Sequence, residues 1–242
     1  MTKTKFAVFD IDGTLYRWQL FHELVEELVA SQALADPGGL LSQTWNDWRG
    51  GKLSFHDYEH KLIQDVLYKN LADVSVEAFD RACQTVVETS GHKVHKYTLD
   101  LLKHLQQKKY LTIAISGSQQ ELLDRFCKLY GFDIAIGALY QRQNGRFTGE
   151  FARTTVGRKA EILKQLVDEH RLNFSGSLAI GDSDSDIEIL SLVEQPIAFN
   201  PSEDLFAHAR SAGWPIVIER KNMAYRLEGN DGKLLLAEAI AL

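Results

Sequence analysis

Short apolar runs recur along the chain, and each ends in a polar or turn-forming residue. The runs are KFAVFD (5–10), LTIAIS (111–116), SLAIGD (177–182), and the pair PIAFN (196–200) and PIVIE (215–219). They are rich in Val, Ile, Phe and Ala and show no alternation of apolar and polar positions. Such runs are typical of strands that are covered on both faces. The pattern therefore predicts a set of buried strands.

Helical patterns lie between the later runs, where apolar residues recur every three or four positions. They cover residues 119–130, 156–170, 186–193 and 203–212. Strands that alternate with helices favour a parallel sheet with helices packed on both faces. We therefore predict an α/β fold with a Rossmann-like parallel sheet.

The stretch from about Trp18 to Gly91 breaks this alternation, because it contains no convincing strand. Its amphipathic segments are separated by Pro37-Gly38-Gly39 and by Gly50-Gly51, which are strong turn signals. We predict that residues 18–91 form a helical cap domain inserted after the first strand. Residues 1–17 and 92–242 then form the α/β core domain.

A second departure from the alternation lies between residues 133 and 151. Asn144-Gly145 separates two short β-like runs there. Asn-Gly suits the type I′ turn, because both residues of that turn have positive φ. The segment therefore predicts a β-hairpin.

Composition narrows the functional classes. The 242 residues are 45% hydrophobic and 25% charged, which is ordinary for a globular protein, and the net charge of −6 argues against a general nucleic-acid binder. Cys83 and Cys127 lie far apart without metal-ligand spacing, so we predict reduced thiols in the cytoplasm. No stretch approaches the roughly 18 apolar residues that a membrane span needs. We expect no membrane partner, and a monomer or homodimer.

Three of the predicted strands end in polar residues that could carry chemistry. These ends are Asp10-Ile11-Asp12-Gly13-Thr14, Ser116-Gly117-Ser118 and the acidic run that starts at Gly181-Asp182. In open parallel sheets the carboxyl ends of the strands meet at one edge, where ligands bind. A single DxD pattern is weak, since aspartates are common in turns, whereas three converging ends predict a site.

The residue types at this edge indicate phosphoryl transfer. Asp10, Asp12 and Asp182 would crowd three carboxylates together, which is unfavourable without a cation, and Mg²⁺ is the usual ion for such oxygen ligands. Residues 116–118 would form an anion cradle at the start of the following helix. Arg158 or Lys159 could supply the fixed positive charge. A cation, an anion cradle and a basic residue beside a carboxylate are the parts of a phosphoryl-transfer site.

Four motifs in order carry a family resemblance. DIDGT, the serine ending the second strand, Lys159, and GDSDSD resemble the motifs of the haloacid dehalogenase-like phosphatases over residues 5 to about 200. The helical insert after the first motif and the hairpin before the lysine resemble subfamily IB, the phosphoserine phosphatase-like branch. The resemblance implies a phosphatase that acts on a small phosphorylated metabolite with Mg²⁺.

The resemblance also implies roles for individual residues. Asp10 would be the nucleophile that forms an aspartyl-phosphate, and Asp12 would be the general acid and then the general base. Ser116, Gly117 and Lys159 would hold the phosphate. Asp10, Asp182 and the Asp12 carbonyl would bind Mg²⁺, with Asp186 and Ser183 orienting these groups.

The substrate is less defined than the reaction. Phosphoserine phosphatases have a glutamate nine residues after the nucleophile, whereas this chain has Gln19. We therefore expect a small phosphomonoester other than phosphoserine, with Arg17, Trp18, Gln19 and Phe21 as candidate contacts to its leaving group. A phosphotransferase or mutase of the same fold, or a non-catalytic module that binds a phospholigand, stays an alternative.

Overall fold

A nine-stranded mixed sheet forms the centre of the computed structural model, which describes residues 5–36, 38–230 and 233–242. The first four residues of the predicted core domain and Pro37 of the predicted turn lie outside these ranges. The strand order is β4-β3-β2-β1-β5-β6-β7-β8-β9. The strands are β1 (Phe6–Phe9), β2 (Leu111–Gln119), β3 (Ile134–Gln143), β4 (Arg146–Arg153), β5 (Leu178–Gly181), β6 (Gln195–Phe199), β7 (Ile216–Arg220), β8 (Met223–Asn230) and β9 (Lys233–Ala241).

The predicted parallel strands occupy the middle of this sheet. β1 pairs in parallel with β2 and β5, with Val8 opposite Ile113 and Ala179. β5, β6 and β7 continue the parallel arrangement on one side, and β3 continues it on the other. These runs are apolar on both faces because helices cover both sides of a parallel sheet. The predicted α/β fold class is confirmed.

Helices pack on both sides of the sheet. Alternate residues of β1 belong to two separate cores, with Ala7 and Phe9 in one and Phe6 and Val8 in the other, as the two-residue period of a strand requires. The helices that follow the insert are α5 (Lys96–Gln107), α6 (Gln120–Tyr130), α7 (Lys159–Glu169), α8 (Ile187–Leu192) and α9 (Glu203–Ala212).

The segment between β1 and α5 is helical. It contains α1 (Leu20–Ala30), α2 (Leu40–Arg49), α3 (Phe55–Lys61) and α4 (Val76–Ser90), and α3 continues as a π-helical stretch over Leu62–Tyr68. Ser54 and Ser75 directly precede α3 and α4, and each side chain accepts a hydrogen bond from a backbone N–H of the first turn. The limits of a separate cap domain stay a prediction. We call residues 18–91 the insert.

The predicted hairpin is β3–β4, and its tip contacts the insert. Asn144 and Gly145 have φ of 51° and 75°, as the type I′ turn requires. The Val76 amide donates to the Gly145 carbonyl at 3.1 Å, and Arg146 donates to the Asp73 carbonyl at 2.9 Å. The hairpin therefore fixes the insert against the sheet.

Two elements of the core were not predicted. α5 returns the chain from the insert to the sheet, and β8–β9 is an antiparallel hairpin that extends the sheet beyond β7. β9 reads KLLLAEAIA and is largely apolar, but it is exposed along most of its length. Among the described residues, no helix combines the length and the apolar character that crossing a bilayer requires.

Candidate active site

The loop after β1 brings both aspartates of DIDGT to the carboxyl edge of the sheet. The Asp10 amide donates to the Ile180 carbonyl of β5 at 3.0 Å, which continues the parallel pairing beyond the last residue of β1. Gly13 then turns the chain with φ of 83°, and its amide lies 2.8 Å from the Trp18 carbonyl. Glycine adopts this left-handed conformation without steric cost.

The acidic run after β5 approaches the same edge. Ser183 and Asp186 form a reciprocal cap around a short turn, in which the Asp186 carboxylate accepts from the amides of Asp182 and Ser183 at 3.2 Å each. These bonds fix the Asp186 carboxylate beneath the loop, and Asp186 is fully buried.

Three carboxylates and one ammonium group meet at this edge. Carboxylate oxygens of Asp10, Asp182 and Asp186 all lie within 4.8 Å of one another. Nζ of Lys159, the first residue of α7, lies 2.8 Å from Asp10 Oδ1 and 2.6 Å from Asp186 Oδ1. Lys159 is only 6% exposed and Asp10 only 4%. The buried ammonium group of Lys159 therefore offsets part of the negative charge of the cluster.

Burial dominates the electrostatics of the cluster. It raises the pKa of Asp10 from 3.8 to about 7 against the lowering effect of Lys159, and the neighbouring carboxylates of Asp186 and Asp12 raise it further. Burial and then Asp10 also raise the pKa of Asp182. For Lys159, burial alone would lower the pKa, but Asp10 and Asp186 outweigh it and hold the pKa above its ordinary value. The site therefore carries excess negative charge that favours a bound cation.

Two glycines make the close approach of these groups possible. A Cβ atom on Gly13 would overlap the Asp182 carboxylate, and a Cβ on Gly181 would lie 2.5 Å from Cγ of Asp186. Real Cβ atoms do not approach other heavy atoms so closely. The glycines of DIDGT and GDSDSD therefore provide space for the acidic side chains.

Asp12 lies beside the cluster but faces different partners. Its Oδ2 accepts hydrogen bonds from Ser116 Oγ at 2.5 Å and Ser118 Oγ at 2.8 Å, and its Oδ1 accepts from the Leu20 amide at 2.6 Å. Burial raises the pKa of Asp12, and the hydrogen bonds from the two serines oppose that effect. The structure thus separates the two aspartates of DIDGT into different environments.

The second strand ends three residues later than the predicted run 111–116. Residues 116–118 lie within β2, and α6 begins only at Gln120. The Ser118 amide also donates to Ser116 Oγ at 2.9 Å, so it is engaged inside the loop. Residues 116–118 therefore lie at the end of β2, shortly before α6, and their contact with an anion stays a prediction. Gly117 remains exposed between two buried serines.

The donor set fits a hard divalent cation. Asp10 and Asp182 present carboxylate oxygens to each other across a buried edge, and the donors gathered there are oxygens. Mg²⁺ and Ca²⁺ prefer such ligands. Both oxygens of Asp186 already accept hydrogen bonds, from Lys159 and from the loop amides, so Asp186 is suited to orienting its neighbours.

Comparison with known proteins identifies this arrangement. The family model for haloacid dehalogenase-like hydrolases matches residues 7–191. The chain belongs to the haloacid dehalogenase-like hydrolase family. The match contains all four motifs on which the resemblance was predicted, so that prediction is confirmed.

Individual relatives agree with the phosphoserine phosphatase-like branch. The phosphoserine phosphatase of Archaeoglobus fulgidus is 26% identical over 203 residues, which are 83% of this chain but only 54% of that protein. The histidinol-phosphatase of Neisseria meningitidis is 24% identical over 223 residues, or 87% of this chain and 97% of that one. A phosphoserine phosphatase structure, described as a phospho-aspartyl intermediate analogue, superposes with a TM-score of 0.60 at 21% identity, covering 91% of this chain and 95% of that chain.

The other basic candidates lie elsewhere in this hydrolase. Arg158 is exposed and pairs with Glu161 at 2.8 Å. The guanidinium of Arg17 binds Glu219 at 2.8 Å and the Val94 carbonyl at 2.7 Å. Arg17 is therefore bound where the chain enters and leaves the insert. These contacts do not support the predicted contact of Arg17 with a leaving group.

The remaining specificity candidates lie at the start of the insert. Phe21 is only 8% exposed and packs in the core, so it is not free to contact a substrate. Gln19 and Trp18 are half-buried, and the Trp18 carbonyl accepts from Gly13. Trp18 and Gln19 therefore stay candidates next to Asp12.

Sequence reasoning missed two residues near the site. Thr14 donates to Asp182 Oδ1 at 3.2 Å, and its place inside DIDGT could have indicated this role. Glu59 of α3 is half-buried, and burial, followed by the negative charge of Asp12, raises the pKa of its carboxyl. No motif surrounds Glu59, so only the packing of the insert reveals it.

Proposed function

We propose that this hydrolase is a Mg²⁺-dependent phosphatase that hydrolyses a small phosphomonoester through an aspartyl-phosphate on Asp10. The observation that carries the proposal is the buried contact of Lys159 with Asp10 beside Asp182. A carboxylate, a fixed cation and further carboxylate ligands at one strand edge are the parts that phosphoryl transfer needs. The similar proteins of Archaeoglobus fulgidus and Neisseria meningitidis are phosphatases, which supports the same conclusion.

The first step forms a covalent intermediate. A carboxylate oxygen of Asp10 attacks phosphorus, and the ester P–O bond breaks as the new P–O bond forms. The Asp12 carboxyl gives its proton to the departing alkoxide oxygen. Lys159 holds the Asp10 carboxylate and pairs with a phosphoryl oxygen, while the Ser116 hydroxyl and the Gly117 amide bind the others.

The second step regenerates the enzyme. Asp12, now a carboxylate, takes a proton from a water molecule that attacks the phosphoryl group. The P–O bond to Asp10 breaks, phosphate leaves, and the Asp10 carboxylate is restored. The same carboxyl group therefore acts first as acid and then as base.

The residues that would hold Mg²⁺ are Asp10 and Asp182 through their carboxylates and Asp12 through its carbonyl. The bound ion would neutralise charge on the phosphoryl group during transfer. Asp186 would orient Lys159, and Ser183 would hold Asp186 in place, as their hydrogen bonds indicate.

Trapping of the intermediate tests the proposal. The full-length protein with Mg²⁺ is incubated with a panel of phosphomonoesters, free phosphate is measured, and acid-quenched samples are digested for mass spectrometry. We expect phosphate release and a phosphoryl group on the peptide that contains Asp10, and neither in Asp10→Asn. Phosphate release by Asp10→Asn at the wild-type rate would refute the nucleophile.

The same assay addresses the phosphotransferase alternative. A phosphatase releases one phosphate for each alcohol formed, whereas a transferase yields less phosphate when an acceptor alcohol is added. Equal phosphate and alcohol yields with and without acceptor would support hydrolysis.

A further inference from the structure

Glu219 is a buried carboxylate that the proposed mechanism does not use. It lies on β7, and its side chain is only 1% exposed. Its Oε1 accepts a hydrogen bond from the Arg17 guanidinium at 2.8 Å and lies 3.1 Å from Nδ1 of His95. Its Oε2 accepts from the Tyr97 amide at 2.9 Å. A buried carboxylate is costly unless it is paired and hydrogen-bonded, and these contacts offset that cost.

The contacts of Glu219 reach both ends of the insert. Arg17 directly precedes the insert, and His95 lies shortly after it. The Arg17 amide donates to the Lys93 carbonyl at 2.9 Å, and Arg17 Nε donates to the Val94 carbonyl at 2.7 Å. Glu219 therefore ties the segments by which the chain enters and leaves the insert to one point of the core sheet.

The helix that follows the insert also begins on Glu219. Lys96 and Tyr97 are the first residues of α5, and their amides donate to the Glu219 carboxylate at 3.3 and 2.9 Å. The side chain of His95, directly before the helix, does not cap it. The first amides of a helix need acceptors, and negative charge is favourable there. Glu219 therefore supplies the missing cap from 123 positions further along the chain than Lys96.

The segment that enters the insert orients the proposed general acid. The Leu20 amide donates to Asp12 Oδ1 at 2.6 Å, and the Trp18 carbonyl accepts from the Gly13 amide at 2.8 Å. Arg17 directly precedes these residues, so a shift of Arg17 moves the amide that holds the Asp12 carboxyl. A displacement of about 1 Å at a catalytic group can cost about 100-fold in rate.

The charge of Glu219 is needed for these contacts. Burial would raise its pKa, but the Tyr97 amide and His95 outweigh burial and hold the pKa below its ordinary value. The Arg17 side chain is 45% exposed, so burial does not hold it in place. Glutamine at position 219 has one acceptor oxygen instead of two and no charge. It would not serve both Arg17 and the Tyr97 amide.

We propose that Glu219 is a positioning residue for the reaction: it holds Arg17, and through residues 17–20 it keeps the Asp12 carboxyl in place to protonate the leaving alcohol. This inference rests on the proposed function, since it assumes that Asp12 gives its proton to that alcohol. A purely structural role would instead lower the stability and affect all substrates alike.

Two aryl esters that differ in their need for a proton test this role. p-Nitrophenolate departs as a stable anion, whereas the more basic phenolate of phenyl phosphate depends more on a general acid. The two esters are compared by kcat/KM, which includes leaving-group departure, with the full-length protein and Mg²⁺. We expect Glu219→Gln to raise the preference for p-nitrophenyl phosphate by about 10-fold, since a positioned general acid contributes about 100- to 10,000-fold.

Arg17 variants separate the pathway from a general loss of folding. Arg17→Gln should raise the same preference, Arg17→Lys should recover part of it, and Glu219→Gln/Arg17→Gln should show no larger change than the more affected single variant. Glu228→Gln on the neighbouring strand β8 alters an exposed glutamate that lies 3.5 Å from Arg226. This control should leave the preference unchanged.

Hydrogen exchange provides a readout that does not depend on turnover. The Leu20 amide donates to Asp12, so the peptide that contains Leu20 should exchange faster in Glu219→Gln than in wild type or Glu228→Gln. Unchanged exchange of this peptide would overturn the inference.

The two proposals fail in different ways. If Glu219→Gln lowers kcat/KM for both esters by the same factor, or if the effects of the two single variants multiply in the double variant, the phosphatase stands and the positioning role is refuted. If wild type releases phosphate from neither aryl ester nor from any ester of the wider panel, the proposed function is refuted, and the positioning role with it.

Discussion

Replacement of Asp10 by asparagine should stabilise the metal-free protein at neutral and alkaline pH. Burial raises the pKa of Asp10 from 3.8 to about 7, so the folded state holds its proton more tightly than the unfolded chain does. The contribution of Asp10 to the stability is therefore greatest below pH 3.8, and it falls as the pH rises towards 7. Asparagine has nearly the same shape and carries no charge, so the variant avoids this loss.

The size of the effect follows from the two pKa values. One pKa unit corresponds to about 1.4 kcal/mol, so the difference between 3.8 and about 7 amounts to about 4 kcal/mol once Asp10 is ionised in both states. At pH 5 only the unfolded chain is ionised at this position, and the same linkage gives about 2 kcal/mol. The advantage of Asp10→Asn should therefore roughly double between pH 5 and pH 8.

Urea unfolding in the presence of a chelator measures both values. Wild type, Asp10→Asn and the control Asp168→Asn, which alters an exposed aspartate of α7, are compared at pH 5 and pH 8. Adding Mg²⁺ should then stabilise wild type more than Asp10→Asn, because the variant lacks the negative charge of one proposed ligand. Equal stability of wild type and Asp10→Asn at pH 8 without metal would refute the electrostatic argument.

Three further predictions concern the surroundings of the site. Gly13→Ala should weaken Mg²⁺ binding at least 10-fold by isothermal titration, because its Cβ would overlap a ligand carboxylate. Gly149→Ala, at a similar φ in open space, should cost about 1–2 kcal/mol of stability and leave binding intact. Burial lowers the pKa of His22 to about 3, so the unfolded state binds more protons below pH 6.5. By urea unfolding, the stability of wild type relative to His22→Phe should therefore fall by about 2 kcal/mol between pH 7 and pH 5; parallel pH profiles would contradict this. Lys159→Ala should lower kcat by at least 100-fold in a phosphate-release assay, while its exposed neighbour Arg158→Ala should stay within 2-fold of wild type; the opposite order would exchange their roles.

Residues close together in sequence made much of the site predictable. In DIDGT and GDSDSD the acidic side chains directly follow apolar runs, and parallel strands end at a common edge. The positions of Asp10 and Asp182 therefore follow from recognising the strands. The Asn144-Gly145 hairpin was predictable for a similar reason, because two adjacent residues specify the turn.

Other features depend on small rotations or on distant packing. Neighbouring residues at the start of α7 point in different directions, so Lys159 is buried whereas the adjacent Arg158 is exposed. The pattern of apolar residues does not show which of these two basic side chains is buried. The β8–β9 hairpin was not predicted, because β9 reads KLLLAEAIA and a short apolar run does not by itself distinguish a strand from a helix.

The sequence by itself determined the α/β fold, the helical nature of the insert and the residue types of the acidic edge. These depend on local periodicity and on short motifs, which act within one strand or turn. The tertiary structure decided that Lys159 rather than Arg158 contacts Asp10, how the serines bind Asp12, and that Trp18 and the aromatic rings packed on it lie beside the catalytic loop. These contacts join residues far apart in the chain, and their geometry follows from how the insert packs on the sheet, which no local pattern specifies.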